Sequence, residues 1–211
     1  MASNLDTPRP AAVSTASFRE ERPQIVGPDQ PDAPFPIPLA GPVQRGFGRG
    51  GKDLGCPTAN LPDESLPVMS SVTQTGVYYG YARIYSPRQE DASLCDKDSK
   101  VLPMVMSLGW NPFYKNERMT AVSTSTRTND HRRSTKDTMT HLKEIHVLHE
   151  FEKDFYGYEM RALVLGYIRP ELDYTSRESL IEDINTDKRV ALNSLARPGY
   201  EKFLSDSYFV V

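Results

Sequence analysis

Cysteine is nearly absent from this chain of 211 residues: only Cys56 and Cys95 occur, without CxxC or metal-ligand spacing. A disulfide framework and a thiolate zinc site are thereby set aside, and a reducing compartment is expected. Excess charge is lacking too. A formal net charge of −3 argues against a general polyanion or membrane-surface binder, so any phosphate recognition must come from a local patch. Long apolar runs are missing, stretches such as 162–165 being far too short to cross a bilayer. The N-terminus is polar and punctuated by proline, unlike a signal peptide. These absences lead to the expectation of a cytoplasmic protein, with association to an organelle membrane left open.

Proline and glycine, by contrast, are concentrated. Eight of the 17 prolines lie between Pro8 and Pro38, among Ser, Asp, Gln and Ala. Such a segment buries too little apolar surface to offset its ordering entropy, so residues 1–33 read as a disordered or loosely docked tail. The folded domain is expected over 34–211.

Within it, residues 76–85, 101–110, 142–151 and 157–168 are rich in Val, Ile and Tyr and bounded by turn formers, which predicts strands. In the first of these Gly80, Ala82 and Ile84 share one face, and small residues there suit the interior of a small barrel. No long helix separates the strands, so antiparallel connections follow. The polar stretches 86–100 and 120–140 read as exposed loops. The period then changes: Leu180, Ile181, Ile184, Ala191, Leu192 and Leu195 predict an amphipathic helix over about 176–196. Thr175 with Glu178 is read as its capping box, and Pro198-Gly199 as its stop.

The densest chemical signal runs from Gly41 to Asn60. Glycines let backbone N–H groups approach phosphate oxygens, and Arg45, Arg49 and Lys52 add local positive charge. Standing alone, the segment could be an ordinary glycine turn with solvated basic residues. Two familiar loops fail to fit it. The spacing Gly46, Gly48, Gly51 matches GxGxxG, but no strand of the required kind precedes it and no helix follows cleanly. A P-loop fails at its last position, where Asp53 replaces the Ser or Thr that should meet Mg²⁺, and Gly55 and Pro57 would break the obligatory helix. The missing hydroxyl reappears in Pro57-Thr58-Ala59-Asn60. There a Thr hydroxyl and an Asn carbonyl, two positions apart on an extended segment, offer hard oxygens on one side.

At this point the chain resembles the riboflavin kinases. The resemblance rests on the glycine segment through Asn60, on GVYYGYA at 76–82, MSLGWNPFYKN at 106–116, EIHV at 144–147, DFYG at 154–157 and GYIRPE at 166–171. It covers most of 41–195, in family order. It implies a mainly β fold, a six-stranded antiparallel Greek-key barrel with a C-terminal helix, and ATP-dependent phosphorylation of riboflavin to FMN. Residue by residue it implies Glu144 as catalytic base, and Gly46, Lys52, Thr58 and Asn60 on the phosphates. Thr58 and Asn60 would hold the metal (Mg²⁺, with Zn²⁺ as the alternative). Val147, His149 and Tyr156 would line the ATP side, and Arg169 and Tyr174 the flavin side. Asp154 is a weaker candidate for the base.

Two departures stand out. The 120–140 stretch is longer than the family pattern, and the proline-rich tail has no counterpart in the shared core. The residues before the core are too few to house a fused nucleotidyltransferase, so a monofunctional enzyme is expected. A monomer is expected separately. A non-catalytic flavin- or nucleotide-binding barrel is the alternative, disfavoured because Thr58, Asn60 and Glu144 are all present. A nucleic-acid-binding barrel would need a basic groove with spaced aromatics, and the basic residues cluster too locally for that.

Overall fold

A computed structural model of the chain describes residues 18–19, 21–44, 58–62, 74–86, 94–109, 142–172, 174 and 176–210. Among them are six strands: β1 (Ile37–Pro42), β2 (Ala59–Asn60), β3 (Gly76–Tyr85), β4 (Leu102–Gly109), β5 (Leu142–Val147) and β6 (Glu159–Arg169). All pair antiparallel in one sheet, in the order β1-β6-β3-β4-β5-β2. The two edges then meet. Just past β1, the Gln44 N–H donates to the Asn60 carbonyl at 2.8 Å, a single bridge that joins β1 to β2 and closes the curl into a barrel. Pro38 and Pro42 sit in β1, which has full strand pairing on one side only, the position where a missing N–H is tolerated.

Alternation along the strands sorts side chains into two cores. Tyr78, Ala82, Ile84, Met104, Met106 and Ile145 fill the barrel interior. Val77, Tyr79, Tyr81, Val105, Leu163 and Leu165 face the other way, under helix α1 (Arg177–Leu195). The small-residue face expected for 76–85 is thus the inner one. Gly80 in particular has no room for a side chain: a Cβ there would stand 1.9 Å from the Leu163 carbonyl oxygen of the neighbouring strand.

Strand β3 spans the expected residues, whereas β5 stops at Val147, four residues short of the expectation. At the helix start the structure corrects the sequence reading by one residue. The N-cap is Ser176, whose hydroxyl accepts from the Ser179 N–H, rather than a Thr175–Glu178 box. The buried face of α1 is a second correction. It consists of Asp183, Asp187, Val190, Ala191, Ser194 and Leu195, while Leu192 is 47% exposed and Leu180, Ile181 and Ile184 are half-buried. Two carboxylates occupy core positions because arginines from elsewhere in the chain meet them there. Pro198 ends the run and opens a short helix, α2 (Pro198–Glu201), with proline in its first turn.

Residues 21–33, read from composition as tail, lie across α1. The Val26 N–H donates to Ser194 Oγ, Arg197 donates to the carbonyls of Val26 and Gly27, and the Tyr200 hydroxyl donates to that of Pro28. The 120–140 stretch lies outside the described residues.

Candidate active site

Strand pairing brings the distant candidates together. Asn60 stands directly opposite Glu144 in the β2–β5 pair, and Glu144 stands directly opposite Ser107 in the β4–β5 pair. Continuing across the sheet, Ser107 faces Val77 and Val77 faces Arg169. Directly opposed residues share a face, so Asn60, Glu144, Ser107, Val77 and Arg169 form one row on the outer side of the barrel. Thr58, two residues before Asn60, belongs to that side by alternation. The row runs from the candidate metal ligands, past the candidate base, to a candidate flavin residue. Ser107, exposed beside Glu144, lies in the MSLGWNPFYKN block, but that motif assigns it no role; only the register places it next to the candidate base.

Glu144 is half-buried, and burial raises its carboxyl pKa above the ordinary glutamate value. A carboxylate so placed is a stronger proton acceptor than a solvated one.

Around the strand ends lies a pocket lined by Thr58, Ile145, Val147, His149, Phe151, Asp154, Phe155 and Tyr156, among others. Of the described residues expected around ATP, Thr58, Val147, His149 and Tyr156 are in this lining, whereas Asn60 is not. Rings build one wall, His149 standing edge-on to Phe151 at 4.9 Å and Phe151 against Phe155 at 4.4 Å. Asp154 also lines the pocket. Gly46 and Lys52, the expected phosphate contacts, lie outside the described residues.

His149 is held from behind by Asp98, whose Oδ1 is 2.7 Å from Nε2. Asp98 is 2% exposed and also accepts from the Glu152 N–H at 3.3 Å. Burial alone would raise its pKa, but hydrogen bonds from His149, Cys95 and the Glu152 backbone outweigh that and hold it below the ordinary aspartate value. Nearby, Lys97 Nζ meets Glu152 Oε1 at 2.9 Å. The stretch 86–100 is expected to be an exposed loop, and in its described part, 94–100, Asp96, Lys97 and Lys100 are exposed. Asp98 departs from that expectation as a buried carboxylate behind the pocket. Polar composition conceals this, since one satisfied Asp among solvated neighbours leaves no pattern.

On the flavin side, Arg169 is 4% exposed and committed to α1. Its Nε lies 3.0 and 3.1 Å from the two Asp187 carboxylate oxygens and its Nη2 2.7 Å from Oδ2, while Nη1 donates to the Pro170 carbonyl at 3.0 Å. The guanidinium therefore braces the helix against the end of β6 before it touches anything else. Tyr174 lies beside it, half-buried, with a phenol pushed up to about 12 by burial. Its hydroxyl is enclosed and has no partner in hydrogen-bonding geometry among the described residues.

A family model described as riboflavin kinase matches residues 33–195. The chain is 38% identical to the riboflavin kinase of Meyerozyma guilliermondii, over 86% of this chain and 96% of that one. It is 44% identical to the riboflavin kinase of Aspergillus clavatus, over 87% and 89%. Among solved structures, riboflavin kinase from Trypanosoma brucei superposes with a TM-score of 0.57 at 24% identity, covering 84% of this chain and 91% of that chain, a likeness of fold.

Proposed function

The chain belongs to the riboflavin kinase family, and on that premise we propose how its residues carry out the reaction. It is an ATP:riboflavin 5′-phosphotransferase, giving FMN and ADP. The observation that carries the site assignment is the direct opposition of Asn60 and Glu144 across β2 and β5.

In this reading ATP enters beside His149, Tyr156 and Val147, with its phosphates toward Thr58 and Asn60 and toward the glycine segment bearing Gly46 and Lys52. The riboflavin 5′-hydroxyl lies against Glu144. Glu144 accepts the hydroxyl proton as the oxygen bonds to the γ-phosphorus and the bond to the β,γ-bridging oxygen breaks, with ADP leaving. The raised pKa of Glu144 suits that role, because it brings the base closer to the hydroxyl in proton affinity.

A divalent cation fits the donor set. Thr58, Asn60 and the neighbouring Glu144 offer only oxygen, which favours Mg²⁺ over Zn²⁺, a metal that prefers nitrogen and sulfur. When bound, Mg²⁺ would neutralise charge on the transferring phosphates. Thr58 and Asn60 would hold it.

Arg169 is four strand steps from Asn60, about 19 Å along the curved sheet at the usual strand spacing. It and Tyr174 therefore serve the far end of an extended substrate, with Arg169 acting through α1 and Tyr174 as the closer contact. Among the described residues no helix is long and apolar enough to cross a membrane. A cytoplasmic monomer is the accompanying proposal, to be checked by fractionation and size-exclusion chromatography.

The test of the reaction is direct. Purified protein with riboflavin, ATP and Mg²⁺ should form FMN, read by separating the flavins. No FMN above a heat-killed control overturns the assignment.

A further inference from the structure

The flavin side holds more charge than its own strand and helix supply. Arg22, from the N-terminal segment, reaches between the two carboxylates of α1: its Nη1 lies 3.4 Å from Asp183 Oδ1, and its Nη2 donates to Asp187 Oδ1. Arg19 adds Nε at 3.2 Å and Nη2 at 3.0 Å to Asp183, and Nη2 also donates to the Ser179 carbonyl. Arg169 grips Asp187 from the β6 side. Without Arg22, two arginines and two aspartates would already balance. The extra guanidinium is nevertheless buried, its side chain 4% exposed and its Nε without a partner among the described residues. The Tyr174 hydroxyl, also enclosed, lies beside the same Asp183 and Arg169, with no partner in hydrogen-bonding geometry among the described residues.

The segment that carries Arg22 is fastened at its far end as well. Gly27, at φ +76°, turns the chain where a Cβ would stand 2.7 Å from the Tyr79 hydroxyl oxygen, and Arg197 and Tyr200 hold the carbonyls that follow. Arg22 is thus one end of a strap laid along α1, and its fork couples the two helix carboxylates that border Tyr174 and Arg169.

We propose that Arg22 is a positioning residue for riboflavin: by bridging Asp183 and Asp187 it sets the placement of Arg169 and Tyr174, and hence the affinity of the flavin end of the site. The proposal rests on Tyr174 and Arg169 belonging to that end. The ATP pocket, on the opposite stretch of the row, does not touch the strap. Buried forks of this kind fix geometry where a flexible ammonium would not.

The test uses the full chain and varies the two substrates independently. Unaltered protein must first form FMN; if it does not, the functional reading has failed and the positioning role with it. Given that activity, Arg22→Met should raise the KM for riboflavin about tenfold with KM for ATP within about twofold, and flavin fluorescence titration should show the matching loss of binding. Arg22→Lys, which keeps a charge but not the fork, should recover part of it. An unchanged riboflavin KM, or an equal rise for both substrates, overturns the proposal. Should Arg22→Met melt below the assay temperature, Arg22→Lys decides alone: an approximately threefold rise confined to riboflavin supports the role, and no rise or an equal one overturns it.

Discussion

Asn60 and Glu144 face each other across the β2–β5 pair, although 84 residues separate them by number. In such pairs the Cβ atoms are about 5 Å apart, so the amide and the carboxylate act in one small volume. Replacing the carboxylate there should damage chemistry more than binding. Glu144→Gln keeps the shape and removes the base, and kcat should fall by roughly 10² to 10⁴. The Kd for nucleotide, followed by calorimetry, should change little. Near-normal turnover would move the base elsewhere, Asp154 being the next residue to replace.

The metal assignment makes a separate demand. Thr58→Ala removes a hydroxyl from an alternating pair of oxygens without disturbing the inward-facing Ala59. The Mg²⁺ concentration for half-maximal rate should rise about tenfold, with less effect at saturating Mg²⁺. An unaltered Mg²⁺ dependence contradicts Thr58 as a ligand.

Burial raises the pKa of Glu144, and the sign of the pH effect follows. The ionised form is the base, so activity is full above the raised pKa and falls on the acid side. The fall should approach tenfold per pH unit, with its midpoint above the ordinary glutamate value of about 4.3. A profile flat down to that value would show that Glu144 does not titrate as the base.

Much of this frame was legible in the sequence because period and punctuation agree. Strand β3 could be delimited from its alternating Gly, Ala and Ile against Tyr, and the Thr58/Asn60 pair from its spacing. The β2 strand is only two residues long, too short for any periodic signal, so the opposition of Asn60 and Glu144 could not be read. Nor could the polar half of the α1 core. Asp183 and Asp187 look solvated until Arg22, more than 160 positions earlier, is known to meet them. Sequence patterns register what faces water on average, and a satisfied buried charge is an exception that only contacts reveal.

Asp98 supplies a prediction for the ATP side. Asp98→Asn keeps the volume behind His149 but removes the charge, leaving the ring less firmly held, and the KM for ATP should rise several-fold with that for riboflavin unchanged. Stability should respond as well. Hydrogen bonding lowers the folded-state pKa, so the contribution of Asp98 is present above the ordinary aspartate pKa and lost as pH falls through the lowered one. Thermal melts from neutral to acid pH should therefore show a shallower acid-side loss for Asp98→Asn. An identical slope would mean that the carboxylate contributes nothing through its ionisation.

The two helix carboxylates should not be equivalent. Asp187 is shared by Arg22 and Arg169, both almost fully enclosed, whereas Asp183 is shared by Arg22 and Arg19, whose side chain is 30% exposed. Removing Asp187 leaves Arg169 buried without a counter-charge. Losing one partner of a buried pair typically costs about 3–5 kcal/mol, and Asp187→Asn should lie in that range. Removing Asp183 releases Arg19 to water, and the cost should be roughly half as large. In a chain of this size the difference amounts to about 5 °C in Tm, within reach of calorimetry. Equal losses would mean that Arg169 finds another acceptor, and would weaken the case that it braces the helix through Asp187.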